Sequence, residues 1–504
     1  FWTFNPDALP DTQLRLLEAR FAGWLQEKHG SLDAAFTAWK GQKVKRDAPG
    51  EGRIAFRPLW NIAHEKTARD QNTVAFLLET QTRFYAETRR FLRELGYQGL
   101  VTASNWATAS PEVLGPLEKL SYTAGDCIDR HGYFGCAAKG KDSEWASRDG
   151  HTYVERSALR FDPEKPGAAR QFVHPAMDLQ YDDLPSMVSE TTFNRPNRYR
   201  SEAPLYYAAF GALQESDAIV HFALDGSGWS VKPRFFMQPW TLLSPAMMGQ
   251  FPAAALIFRR GLVEPGRGLA EVRLARSDLL ALRGTPLPQD ASFDELRLKD
   301  VPSGTELKPG QRLDPLLHHA GRAIVRFVDG PGSVRLEDLG PLIDHRRKTV
   351  TSSTGQLRLD YGKGVLAIDA PRAQGLSGAL AAAGEADLKD VRIASGLELG
   401  HIVLVALDGE PLSTSRRILL QAMSEERPTG FETEPAEGGA KRIRKIGRDP
   451  WTFRPLEGTV RLKRPDAARL RVTRLDLNGY AAGEEGDARE IRLRPETVHY
   501  LVHP

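Results

Sequence analysis

An α/β first half followed by an all-β second half is the fold class the sequence predicts, on three observations. Between residues 1 and 260, strand-like, loop-like and helix-like stretches alternate about four times, the pattern of a parallel sheet with helices outside it. Past Gly261 the texture changes to short segments of near-alternating polarity separated by Gly, Pro and Asp turns, which reads as sandwich-like β structure. Within the first half, an apolar run, Met187 and Val188, stops abruptly at Glu190, as a strand does when it delivers an acid to a binding rim. Four such units fit either half a (β/α)8 barrel or a small doubly wound sheet.

Composition narrows the class. A chain of 504 residues exceeds a single core and predicts roughly two to four domains. Apolar residues at 41% and charged residues at 26% are globular values, so disorder is not expected. Lys and Arg number 68 against 65 Asp and Glu, a net +3 that argues against a nucleic-acid partner. The one basic cluster, Lys441 to Arg448, lies beside an acidic, Gly-rich stretch and reads as a solvated loop. Cys127 and Cys136 are the only cysteines, which excludes a disulfide scaffold and a cysteine zinc site; the pair is either bridged or two buried thiols. No apolar run reaches the ~18 residues needed to span a bilayer, and no signal peptide is visible.

In chain order, residues 1–4 read as a strand end, and Asp11 or Thr12 caps a helix with Leu14, Leu17, Phe21, Trp24 and Leu25 at helical spacing. A second helical segment runs from Ser31 to Trp39, and a long one covers 65–95 before Gly96. A short strand then ends at Asn105 and Trp106, a helix follows from Pro111 to Leu120, and a second strand ends at His131 and Tyr133. The interval to about 180 lacks helical period and holds Trp145, His151, Tyr153 and His174; loops of that length are usually functional or lids. The Glu190 strand, a helix over Pro204–Gln214, a strand over Asp217–Leu224, a loop with Trp229 and Trp240, and a helix near Pro252–Arg259 complete this half. The expected domains are 1–262 as α/β, 263–425 as a β-sandwich-like unit, 426–449 as a loop or linker, and 450–504 as terminal strands or a small β domain.

Strand ends of one barrel converge at its rim, so Asn105, Trp106, His131, Tyr133, Glu190, Trp229 and Trp240 are expected to share a pocket. Trp faces stack on sugar rings, Asn and His hydrogen-bond hydroxyls, and a carboxylate attacks an anomeric carbon; carbohydrate is the partner this set suits. Each member also has a plainer role: Glu190 as a helix cap or a partner of Arg195, Arg198 or Arg200, the tryptophans as packing, His131 as a satisfied structural histidine. No cofactor is expected. His131, His151, His174 and His221 lack paired i,i+4 spacing, and no Walker loop, dinucleotide fingerprint or nucleophile elbow occurs.

At these residues the chain resembles retaining glycoside hydrolases of clan A, the (β/α)8-barrel enzymes that include β-galactosidases and agarases. The resemblance is carried by Leu100 to Trp106, Asp129 to Tyr133, Val188 to Glu190 with Pro196 and Asn197, Arg200 to Pro204, and Asp217 to Phe222. It covers about half the chain and implies the C-terminal half of such a barrel, followed by β-rich domains that residues 348–357 also fit. Position by position, it implies Glu190 as nucleophile at the end of the seventh strand, Tyr133 or His131 on the sixth orienting it, and Asn105 and Trp106 on the fifth lining the sugar site. It also implies an acid/base Glu in an Asn-Glu pair at the end of the fourth strand. No such pair occurs in the chain. The expectation is therefore that this residue lies upstream of Phe1; the alternative is a non-catalytic carbohydrate-binding protein on a barrel scaffold. A polysaccharide-degrading role implies a periplasmic or secreted location. Sugar, linkage and oligomeric state are not legible.

Overall fold

The computed structural model describes residues 5–105, 110, 112–161, 180–224, 237–286 and 313–504. Residues 1–4, Trp106, His174 and Trp229, all singled out in the sequence, lie outside the described residues.

The chain begins with a helical layer. Helix α1 (Asp11–His29) ends at Gly30, whose φ of 83° lets its N–H reach Gln26 O. Helix α2 (Leu32–Ala38) is capped by the Ser31 side chain, which accepts from Ala34 N–H. After α3 (Leu59–Glu65), the long α4 (Ala68–Glu94) opens with a reciprocal capping box between Thr67 and Asp70. Asp70 is fully buried and is also held by Arg57 at 2.8 Å, so one carboxylate caps the helix and ties down the preceding segment. Phe21, Phe56 and Phe76 meet at centroid distances of 4.9 to 5.9 Å and form the centre of this layer. Beneath them Glu18, with no exposed side-chain surface, is paired by Arg46 and Arg53.

Helix α5 (Gly115–Tyr122) leads into the strands β1 (Ile128–Phe134), β2 (Thr152–Tyr153), β3 (Gln180–Tyr181), β4 (Ser186–Phe193) and β5 (Ala218–His221). β1, β4 and β5 form a parallel sheet in that order. The segment before α5 joins the β1 side through a parallel bridge from Thr102 to Cys127 and a bond from His131 N–H to Asn105 O at 3.0 Å. Four parallel segments thus lie side by side in sequence order; a helix connects the first pair (α5) and the last pair, while the described residues between β1 and β4 contribute β2 and β3. The crossover from β4 to β5 is α6 (Ala203–Leu213), buried at every residue, as a helix apolar all round must be. It lies so close to β5 that a Cβ on Gly211 would sit 2.4 Å from Ile219. Helix α7 (Pro245–Arg259) follows β5. Cys127 and Cys136 are both buried and are not bonded to each other.

The second half departs from the expected domain limits. β6 (Gly268–Ala275) and β7 (Arg322–Val328) are parallel to each other, with β3 on the far side of β7 and β8 (Ser333–Leu336) antiparallel on β6. Residues 268–286 and 313–336 therefore extend the α/β part: Tyr181 stacks on Phe327 at 5.7 Å, and Gln214 Nε2 donates to the carbonyls of His318 and Gly321. The remaining strands build a ten-stranded antiparallel sheet and a four-stranded one that share a single apolar core, with Val391, Ile393 and Val460 of the smaller sheet clustered with Leu404, Leu420 and Val502 of the larger. The last segment is not separate, because His499–His503 pairs with Ile418–Gln421 inside the large sheet.

Residues 426–449, expected as a linker, fold as strands. Glu426–Thr429 pairs with Arg448–Phe453, and Glu432–Pro435 pairs with Lys441–Lys445, which pairs in turn with β2. This arm reaches back onto the α/β part. Along Lys441–Lys445 Ile443 is buried between the exposed Arg442 and Arg444, so the strand turns Ile443 inward and the two arginines to water.

Candidate active site

Asp129, His131 and Tyr133 alternate along β1 and so share one face of it. On the neighbouring strand, Cα pairing runs from Arg130–Val188 directly to His131–Glu190, leaving Ser189 unmatched; against β5 it also jumps between Val188 and Thr191. β4 thus bulges at 189–190 relative to both neighbours, a device that re-aims a side chain. The freed groups find partners. Ser189 N–H donates to Asp129 Oδ1 at 3.0 Å, and Ser189 Oγ accepts from Asn105 Nδ2 at 3.0 Å.

The bulge sets Glu190 opposite His131, with the Tyr133 hydroxyl donating to Glu190 Oε1 in a short contact. His131 Nδ1 stands 3.6 Å from Glu190 Oε2, an ion-pair distance beyond hydrogen-bond length. Glu190 keeps 29% of its side chain exposed while His131 keeps 7%, so the carboxylate is reachable from solvent and its support is not.

The electrostatics follow from burial. Desolvation first, then the adjacent Glu190 charge, pushes the Tyr133 hydroxyl above its ordinary value of 10, which keeps it protonated as a donor. Desolvation also lowers His131, with Arg130 and Lys119 acting the same way and Glu190 opposing. Burial raises the Asp129 carboxyl against the bonds from Ser189.

An aromatic wall stands over this pair. Ala223 N–H donates to Trp240 O at 3.1 Å and Leu242 N–H to Ala223 O at 2.9 Å, which fixes Trp240 beside Phe222. The Phe222–Ala223 peptide is cis. Tyr133 lies 6.3 Å from Phe222 and 6.5 Å from Trp240, ring centre to ring centre, and Trp145 meets Trp240 edge-on at 5.7 Å.

Of the residues expected to converge, Glu190, Tyr133, His131 and Trp240 do so directly, and Asn105 joins through Ser189. Trp106 and Trp229 lie outside the described residues. Sequence reasoning carried Asp129, Ser189 and Phe222 inside motifs and Trp145 in a long loop, but gave none of the four a role at the site. Period-two alternation back from Tyr133 points to Asp129, and Phe222 closes the next strand; a bulge leaves no local signature at Ser189.

Among the described residues, no group of three or more His, Cys, Asp and Glu side chains is placed to hold a metal ion, and no helix is long and apolar enough to cross a membrane. No protein family, no curated protein and no solved structure matches the chain.

Proposed function

We propose that the chain is a retaining glycoside hydrolase acting on β-linked poly- or oligosaccharides, with Glu190 as nucleophile and its parallel segments as the C-terminal arc of a (β/α)8 barrel. The observation that carries this is the Tyr133–Glu190 hydroxyl–carboxylate contact toward the C-terminal ends of adjacent parallel strands, beneath Phe222 and Trp240. Binding sites of parallel-strand folds lie at those ends.

In this reading the Glu190 carboxylate attacks the anomeric carbon as the bond to the leaving oxygen breaks, and an acid about 5 Å away protonates that oxygen. Water then attacks the glycosyl ester, gives its proton to the same group, and releases Glu190. Tyr133 steadies the carboxylate, His131 packs behind it, and Asn105 holds the Ser189 bulge that aims it. No residue of this chain is assigned the acid/base role.

The test is trapping with dinitrophenyl 2-deoxy-2-fluoro-β-galactoside and β-glucoside, read by intact mass and peptide mapping. A single adduct on the peptide containing Glu190 is expected. A label on another carboxylate refutes the assignment, and sugar binding without any adduct leaves the non-catalytic carbohydrate-binding reading in its place.

A further inference from the structure

Among the described residues near the rim, Trp145 is the largest apolar side chain left open to solvent, at 56% exposure. Its exposure is built. The two residues after it, Ala146 and Ser147, are 1% and 2% exposed, Trp145 N–H and Ala146 N–H both donate to Asp142 O, and Ser147 N–H donates to Met237 O at 3.0 Å. An indole held out by an ordered backbone gives up burial free energy. A ligand that covers it recovers that free energy.

The C-terminal arm does the holding. Ile443 N–H donates to His151 O at 2.9 Å, Gly150 N–H to Ile443 O at 2.8 Å, and Ile446 N–H to Asp149 Oδ1 at 2.7 Å. The Ile443 side chain, 1% exposed, forms a small separate core with Cys136 and Tyr153. Strand pairing with β2 completes the clamp. The loop bearing Trp145 is thus fixed from both ends by residues almost three hundred positions downstream.

We propose that Trp145 is a sugar-stacking platform adjoining the site at Glu190, and that the 426–453 arm belongs to the substrate-binding machinery because it positions this residue. The inference rests on the glycosidase reading and deepens it. Trp145 is separated from Tyr133 by two ring-to-ring steps, of 6.5 Å to Trp240 and 5.7 Å onward, so it meets a sugar beyond the one held at Glu190. The substrate class is then a chain longer than a disaccharide. Although packed T-shaped on Trp240, Trp145 keeps more than half of its surface open, and indole faces suit the apolar faces of sugar rings.

The experiment measures binding of cellohexaose, laminarihexaose and neoagarohexaose to the full-length Glu190→Gln protein, so that turnover does not interfere. Adding Trp145→Ala is expected to weaken the tightest of the three by about tenfold or more, the scale of losing one aromatic anchor. Adding Tyr480→Ala, an aromatic 72% exposed on the distant β part, should leave it unchanged. Ile443→Ala should weaken binding in the same direction and reduce the circular-dichroism couplet expected of the Trp145–Trp240 pair. Binding within about twofold after Trp145→Ala, or no binding of any hexasaccharide to the Glu190→Gln protein, overturns the platform. If the fluoro-sugar labels Glu190 while Trp145→Ala binds normally, the platform fails and the glycosidase reading stands; loss of binding with no label anywhere upholds the platform and removes the hydrolytic reading.

Discussion

Tyr133 and Glu190 touch diagonally across two parallel strands. Their Cα partners are Thr192 and His131 respectively, so Tyr133 reaches back along the ladder to donate to the carboxylate. Only the bulge at Ser189 brings Glu190 into register for that contact. A hydroxyl spent on a half-exposed acid, when burial already costs it solvation, is a positioning arrangement rather than a stabilising one.

Glu190→Gln keeps the shape of the side chain and removes the nucleophile. The expected outcome is a fall in kcat of about a thousandfold or more with the thermal midpoint nearly unchanged, since the residue is partly exposed. Steady-state hydrolysis of an aryl β-glycoside and calorimetry on the same sample check both parts. Turnover within about tenfold of the parent removes Glu190 from the mechanism.

Tyr133→Phe deletes one charge-assisted hydrogen bond and little volume. Bonds of that type contribute about 1.5–3 kcal/mol, so kcat/KM should drop by about 10- to 150-fold. The fluoro-sugar adduct should still form on Glu190, only more slowly; unchanged labelling kinetics would separate Tyr133 from the chemistry.

Glu202 gives a pH dependence with a definite sign. It is buried, accepts from Ser157 Oγ at 2.6 Å and Ala158 N–H at 2.8 Å, and is raised by desolvation from 4.5 to about 8. The folded state keeps this proton after the unfolded state has lost it. Its contribution is therefore fully present below pH 4.5, declines as pH rises, and is gone above about 8. Glu202→Gln, neutral at every pH, should gain stability relative to the parent across that window by a few kcal/mol. Urea unfolding at pH 5 and pH 8.5 measures it; a difference that does not grow with pH contradicts the assignment.

Glu426 ties the β arm to the rim. Burial pushes its carboxyl up, but Arg200 and Arg195 outweigh burial and hold it below the usual range, with Ala246 N–H donating at 2.8 Å. Arg200 Nη1 donates to it at 2.8 Å, and both side chains are almost fully buried. Glu426→Ala strands a guanidinium in the interior and should cost about 3–5 kcal/mol, read as a lowered urea midpoint. Because the group is depressed, its contribution is also lost as pH falls through its folded value. A loss below about 1 kcal/mol would show that water replaces the carboxylate.

Much of this protein is local. The helix read over 65–95 is Ala68–Glu94, because period, cap and terminating glycine all lie within the segment itself. The strand expected to stop at Glu190 runs on to Phe193, because Thr191, Thr192 and Phe193 still pair with β1. The alternating segments at 269–275 and 323–328 identify strands but not their partners, and they join β3 rather than the β-tail sheets. Residues 426–449 read as a loop because charge and glycine dominate them, yet pairing with β2 makes them strands.

What the sequence by itself determined is the long helices, most of the strands and the strand that carries Glu190, since side-chain periodicity and capping act over a few residues. Tertiary structure alone decided the Ser189 bulge, the meeting of Tyr133 with Glu190, and the placing of Trp145 by an arm far along the chain. Backbone pairing and ring packing depend on groups brought together from distant positions, and no local pattern specifies which distant group will be opposite.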